Sequence, residues 1–104
     1  MVVKKYNKLI RDKIPEIIFN QGKKAKVTIA NEIEYSAHLK KKLLEEVEEY
    51  LETPCVEELA DIQEVILSIA EANGWDTLLE EQRLAKNINR GGFSKRYILL
   101  EVQD

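Results

Sequence analysis

Pro54 constrains this chain more than any other residue. Proline fits the first turn of a helix but not its interior, and it pushes the residue before it out of helical geometry. It falls between two stretches with helical patterning, one running to about Glu52 and one whose first turn it fits. Thr53 is a good capping residue for the second. The chain therefore reverses at Thr53-Pro54, and a helical hairpin is expected.

In an antiparallel hairpin, residues equally far from the turn lie at the same height. Glu49 then faces Glu58, and Glu46 faces Asp61. Within each helix the two carboxylates are three residues apart, a spacing that keeps them on one face. Four carboxylates gathered in one volume repel each other unless protonated or neutralised, and hard oxygen ligands of this kind suit Mg2+ or Mn2+. The cluster reads as a divalent-metal site.

A helical wheel separates these acids from their neighbours. On the second helix Val56, Leu59, Ala60, Ile62, Val65, Ile66, Leu67, Ile69 and Ala70 cover most of the circumference, and Glu58 falls within that arc, in line with Ile62, Val65 and Ile69. A carboxylate there is costly unless paired, protonated or metal-bound. Asp61 borders the arc. The first helix carries the stripe Leu39, Leu43, Val47, Tyr50 and Leu51, with Glu46 at its edge and Glu49 further out. Glu45, Glu48, Glu52 and Glu57 read as solvated surface acids.

The motif Glu45-Glu46-x-x-Glu49 followed by Glu58-x-x-Asp61 resembles the signature of the all-α nucleotide pyrophosphohydrolases, the MazG-like superfamily that also contains phosphoribosyl-ATP pyrophosphohydrolase. The likeness extends to Lys8-Leu9-Ile10-Arg11-Asp12-Lys13-Ile14-Pro15 and to Lys86, Arg90 and Gly91-Gly92-Phe93, so it spans most of the chain. The linker through residues 50–57 is shorter than that family's usual one, and the symmetry about the turn preserves the pairing. The resemblance implies that Glu46, Glu49, Glu58 and Asp61 hold Mg2+, with Mn2+ as a substitute. It also implies hydrolysis of a nucleoside triphosphate to monophosphate and pyrophosphate through a metal-activated water. A house-cleaning role fits this pattern. The narrower phosphoribosyl-ATP reaction and a non-catalytic helical assembly or regulatory module are the alternatives.

The phosphate contacts fall to two basic clusters. Lys8, Arg11 and Lys13 precede a short helix that has Pro15 in its first turn, the stripe Ile14, Ile17 and Ile18, and an end near Gly22. Free N–H groups at such a start favour anions. Asp12 is read as a cap or as an ion-pair partner of Arg11. Lys86 and Arg90 share one face of the last helix, and Lys95 and Arg96 follow the Gly91-Gly92 turn. Lys42 lies towards Glu46 and Glu49.

Asn31 and Glu34 have the spacing of a capping box and open the long helix that runs to about Glu52. Asn73-Gly74 closes the second acidic helix, and Asp76 is the expected N-cap of the next. Residues 25–30 and Tyr97–Val102 have strand-like composition, which predicts a short two-stranded β-ribbon. The expected fold is thus mainly α, a MazG-like antiparallel bundle of about four helices.

With 104 residues the chain makes a single domain, 1–104, and a small core. The net charge of −3 argues against a nucleic-acid polymer as partner. One histidine, His38, excludes a His-rich zinc site, and the Glu-x-x-His pairs of di-iron bundles are missing. Neither a P-loop nor a GxGxxG fingerprint is present. Lone Cys55 reads as a small, at least half-buried filler in a reducing compartment. No apolar run has membrane-spanning length and the N-terminal residues do not pattern as a signal peptide, so the chain reads as cytoplasmic. Trp75, Phe93 and Tyr97 read as packing residues. The helix from Asp61 to Asn73 is too apolar for one small chain to cover, which predicts a homodimer, or a homotetramer made of two dimers; the resemblance points the same way.

Overall fold

The computed structural model describes residues 2–104, which form four helices in the order α1 (Ile14–Asn20), α2 (Glu32–Glu52), α3 (Val56–Ala72) and α4 (Asp76–Arg90). Local chemistry sets most of their ends. The α2 start is a capping box: the Asn31 side chain accepts from the Glu34 amide at 2.8 Å, and the Glu34 carboxylate accepts from the Asn31 amide at 3.1 Å. Thr53, ahead of Pro54, turns away with φ −135° and ψ 80°, and Cys55 is extended, so helix resumes at Val56. Pro54 thus sits just ahead of the cap rather than in the first turn of α3. Gly74 takes a φ of +72°, and the Trp75 amide reaches back to the Ala70 carbonyl at 2.7 Å, closing α3. Trp75, not Asp76, holds the N-cap position of α4; Asp76 supplies negative charge one residue later, within the first turn.

Helices α2 and α3 pack on each other as the expected hairpin, whereas α4 touches α3 only sparingly and α1 packs on no other helix. The fold is all-α, but it is an open hairpin with flanking helices and not a closed bundle. Leu39, Val65 and Ala70 are the buried apolar side chains among the described residues. Residues 25–30 and 97–102 carry no ladder, so the expected ribbon does not form. Each is largely exposed, and a two-strand ribbon by itself is marginal in water.

The molecule is far from compact. Its radius of gyration is 18.8 Å, against about 13 Å for a packed domain of this length. It exposes 10,288 Å², against about 6,000 Å² for a folded monomer of the same mass. Trp75, Phe93 and Tyr97 are open to solvent, as are Leu59, Ile66 and Leu67 on α3. The aromatic residues therefore do not pack within the chain. Cys55 is exposed as well, since it lies in the turn and neither helix covers it.

Candidate metal centre

One line of side chains explains the centre. Leu39 and Glu46 are seven residues apart on α2, as are Glu58 and Val65 on α3, so each acid shares its helix face with a buried apolar residue. Leu39 and Val65 are buried apolar side chains of the two helices that pack as the hairpin. Nearer the turn the same interface continues as carboxylates. Glu46 is only 6% exposed, while Glu58 and Asp61 are half-buried. From the wheel Glu58 should be the more enclosed. The order inverts because α3 lies directly over the contact line of α2, while a single helix covers only part of the broad apolar surface of α3.

Ligand atoms from Glu46, Glu58 and Asp61 all lie within 4.8 Å of one another. Two of the three carboxylates have a resident cation. Lys42 Nζ lies 3.4 Å from Glu46 Oε1, one helical turn away, and Arg11 Nη2 donates to Asp61 Oδ1 at 2.7 Å. Glu46 Oε2 and Glu58 Oε2 are shielded from solvent and have no hydrogen-bond partner. Leaving a carboxylate oxygen in this state is expensive. Burial pushes the Glu46 carboxyl above its ordinary range, the neighbouring Glu49 carboxylate pushes it further, and Lys42 works in the opposite direction.

These donors fit a small hard cation. Oxygens bound to one Mg2+ at about 2.1 Å stand roughly 3.0–4.2 Å apart, so modest side-chain rotation would bring the trio to ligand distance. Two unsatisfied oxygens would then gain a partner. Glu49 stays on the exposed side of α2, close enough to act on Glu46 but outside the trio.

The basic candidates separate into two groups. Arg11 reaches the centre through Asp61, fifty positions along the chain, a link with no periodicity to reveal it. Lys42 pairs with Glu46 at i,i+4 spacing, which the sequence does reveal. Lys8 stands over the Tyr6 ring at 5.4 Å, and Lys13 is the N-cap residue of α1, a helix of only seven residues. Lys86 and Arg90 lie on α4 and Lys95 and Arg96 in the tail beyond it; none pairs with the carboxylates among the described residues. Asp61 lies about three turns, roughly 16 Å, before the end of α3, and α4 departs from that far end. Lys95 stands over the Tyr97 ring at 6.0 Å instead.

Comparison with protein-family models, curated proteins and solved structures finds no match.

Proposed function

We propose that the chain is a divalent-cation-dependent nucleotide pyrophosphohydrolase that converts a nucleoside triphosphate to its monophosphate and pyrophosphate. One observation carries this reading: a nearly buried Glu46, with one carboxylate oxygen unpaired, beside Glu58 and Asp61. A surface acid has no reason to be there, whereas a metal ligand does. The resemblance of the acidic signature supplies the reaction class.

In this reading Glu46, Glu58 and Asp61 hold Mg2+ or Mn2+, with Glu49 beside them as the most accessible carboxylate and hence the candidate to take a proton from water. The bound ion supplies charge neutralisation at phosphate oxygens and lowers the pKa of water. Lys42 and Arg11 already stand at the rim and meet the phosphate chain first. Lys8, Lys13, Lys86, Arg90, Lys95 and Arg96 are the reserve of cations for the rest of it.

The functional unit is a homodimer or homotetramer. The surface in excess of a compact monomer, about 4,000 Å² on each chain, is more than one partner usually gives to an obligate interface. Val56, Leu59, Ala60, Ile62, Gln63 and Ile66 line a shallow apolar groove on α3 that a second copy would cover. No helix among the described residues is long and apolar enough to cross a membrane. A cytoplasmic setting suits a nucleotide substrate and an exposed free thiol.

The test is pyrophosphate release from a panel of nucleoside triphosphates, diphosphates and phosphoribosyl-ATP with Mg2+ or Mn2+, comparing wild type with Glu58→Gln. Metal-dependent turnover lost in the variant supports the proposal. Turnover of phosphoribosyl-ATP alone points to the histidine-pathway alternative, and a folded, oligomeric protein without turnover points to an assembly or regulatory module.

A further inference from the structure

Arg11 lies in the irregular segment before α1, and its guanidinium occupies the outer side of the carboxylate trio through the 2.7 Å bond to Asp61 Oδ1. It is the sole side-chain hydrogen bond or ion pair tying residues 2–20 to the hairpin among the described residues. Helix α1, which follows Arg11 in the chain, packs on no other helix. The contact is also partly exposed, at 57% for Arg11 and 32% for Asp61. Such a pair is specific in geometry and easily broken.

We propose that Arg11 is a resident counter-cation of Asp61 that an incoming divalent ion displaces, so that loading the centre frees the N-terminal segment and releases the guanidinium for an anionic ligand. The inference rests on the metal-centre reading and adds an exchange to it. A guanidinium and a hard cation compete for the Asp61 carboxylate, since Oδ1 accepts from Arg11 at 2.7 Å and has one lone-pair direction taken. Like charge works against both staying: a guanidinium bonded to one carboxylate of the trio repels a dication entering the same cluster. With the ion bound, the guanidinium is released from Asp61. It becomes available for phosphate, which it binds in fork geometry. Arg11 is a positioning residue for this exchange and not itself a metal ligand.

The measurement is calorimetric titration of the full chain with Mn2+ alone, with no nucleotide, for wild type, Arg11→Ala, Arg11→Lys and Glu58→Gln. Removing a competing surface pair should tighten Mn2+ binding in Arg11→Ala by about two- to five-fold; Arg11→Lys should fall between that variant and wild type, because lysine keeps the charge but not the fork. Amide exchange in residues 5–13 should quicken when Mn2+ is added to wild type, and should be fast and metal-insensitive in Arg11→Ala. Weaker Mn2+ binding by Arg11→Ala would mean that Arg11 orients Asp61 as a ligand, and unchanged binding would mean the pair is inert; either overturns the exchange. Absence of Mn2+ binding by wild type would overturn both the exchange and the centre, whereas binding lost only in Glu58→Gln sustains the centre and leaves the Arg11 comparison to decide the exchange.

Discussion

Lys42 Nζ stands 3.4 Å from Glu46 Oε1, while the other oxygen of the same carboxylate is shielded and has no partner. One oxygen of Glu46 is thus satisfied by its own helix, and the carboxylate lies beside Glu58 and Asp61. Replacing Glu46 by glutamine keeps the shape and removes the poorly solvated charge. The ion-free protein should gain about 1 kcal/mol, or roughly 4–8 °C in Tm for a chain of this size. The stabilisation that wild type gains from Mn2+ should be largely lost. Thermal unfolding with and without Mn2+ reads both effects, and a Glu46→Gln protein less stable than wild type without ion would show that the carboxylate is already paid for by its neighbours.

The raised Glu46 carboxyl gives a signed pH dependence. Its pKa in the folded chain lies above the ordinary value, chiefly through burial and then through Glu49, so the folded state holds a proton that the unfolded state releases. Stability from this group is therefore full below the unfolded pKa and is lost as pH rises through the folded one. Affinity for Mn2+ should increase over the same window, because the ion and the proton compete for one carboxylate. Denaturant unfolding at a series of pH values, without ion, should show this decline in wild type and a flatter profile in Glu46→Gln. A wild-type profile that rises through the window would contradict the assignment.

Leu39 is 3% exposed and is the largest buried apolar side chain of the hairpin. Leu39→Ala should cost about 2–5 kcal/mol, a large fraction of the stability a domain of this size can hold. Asn31→Ala removes one half of the capping box at the start of α2, for about 1 kcal/mol. Urea midpoints of the two variants should fall in that order. A smaller loss at Leu39 would place the stabilising core elsewhere, in contacts between copies of the chain.

Much of this architecture was legible because it follows from local chemistry. The hairpin comes from Pro54, the α2 start from Asn31 and Glu34, and the meeting of Glu46 with Asp61 from symmetry about the turn, whereas Glu49, the expected partner of Glu58, stays outside the trio. Burial was less legible, since it depends on which surfaces find a cover. Glu46 is enclosed because α3 lies over its line, Cys55 is exposed because nothing lies over the turn, and residues 25–30 and 97–102 stay unpaired because neither has a surface to fold against. The Arg11–Asp61 bond was invisible for a different reason. It joins residues fifty apart, and no periodicity encodes a contact between a loop and a helix.

The open face of α3 carries the sharpest test of assembly. Leu59 and Ile66 are seven residues apart, both are exposed in the single chain, and both line the apolar groove beside Val56 and Ile62. Water against such a face is unfavourable by about 25 cal/mol per Å² of apolar surface, and the chain exposes far more surface than its mass requires. Wild type should therefore scatter light as a dimer or tetramer at micromolar concentration, with a Tm that rises with protein concentration. Ile66→Glu places a charge in the proposed contact and should shift the mass to that of a monomer and remove the concentration dependence. The carboxylate trio lies between α2 and α3, so the variant should still bind Mn2+ wherever its helices persist. A wild-type protein that is monomeric across the concentration range would show that this face serves something other than a second copy.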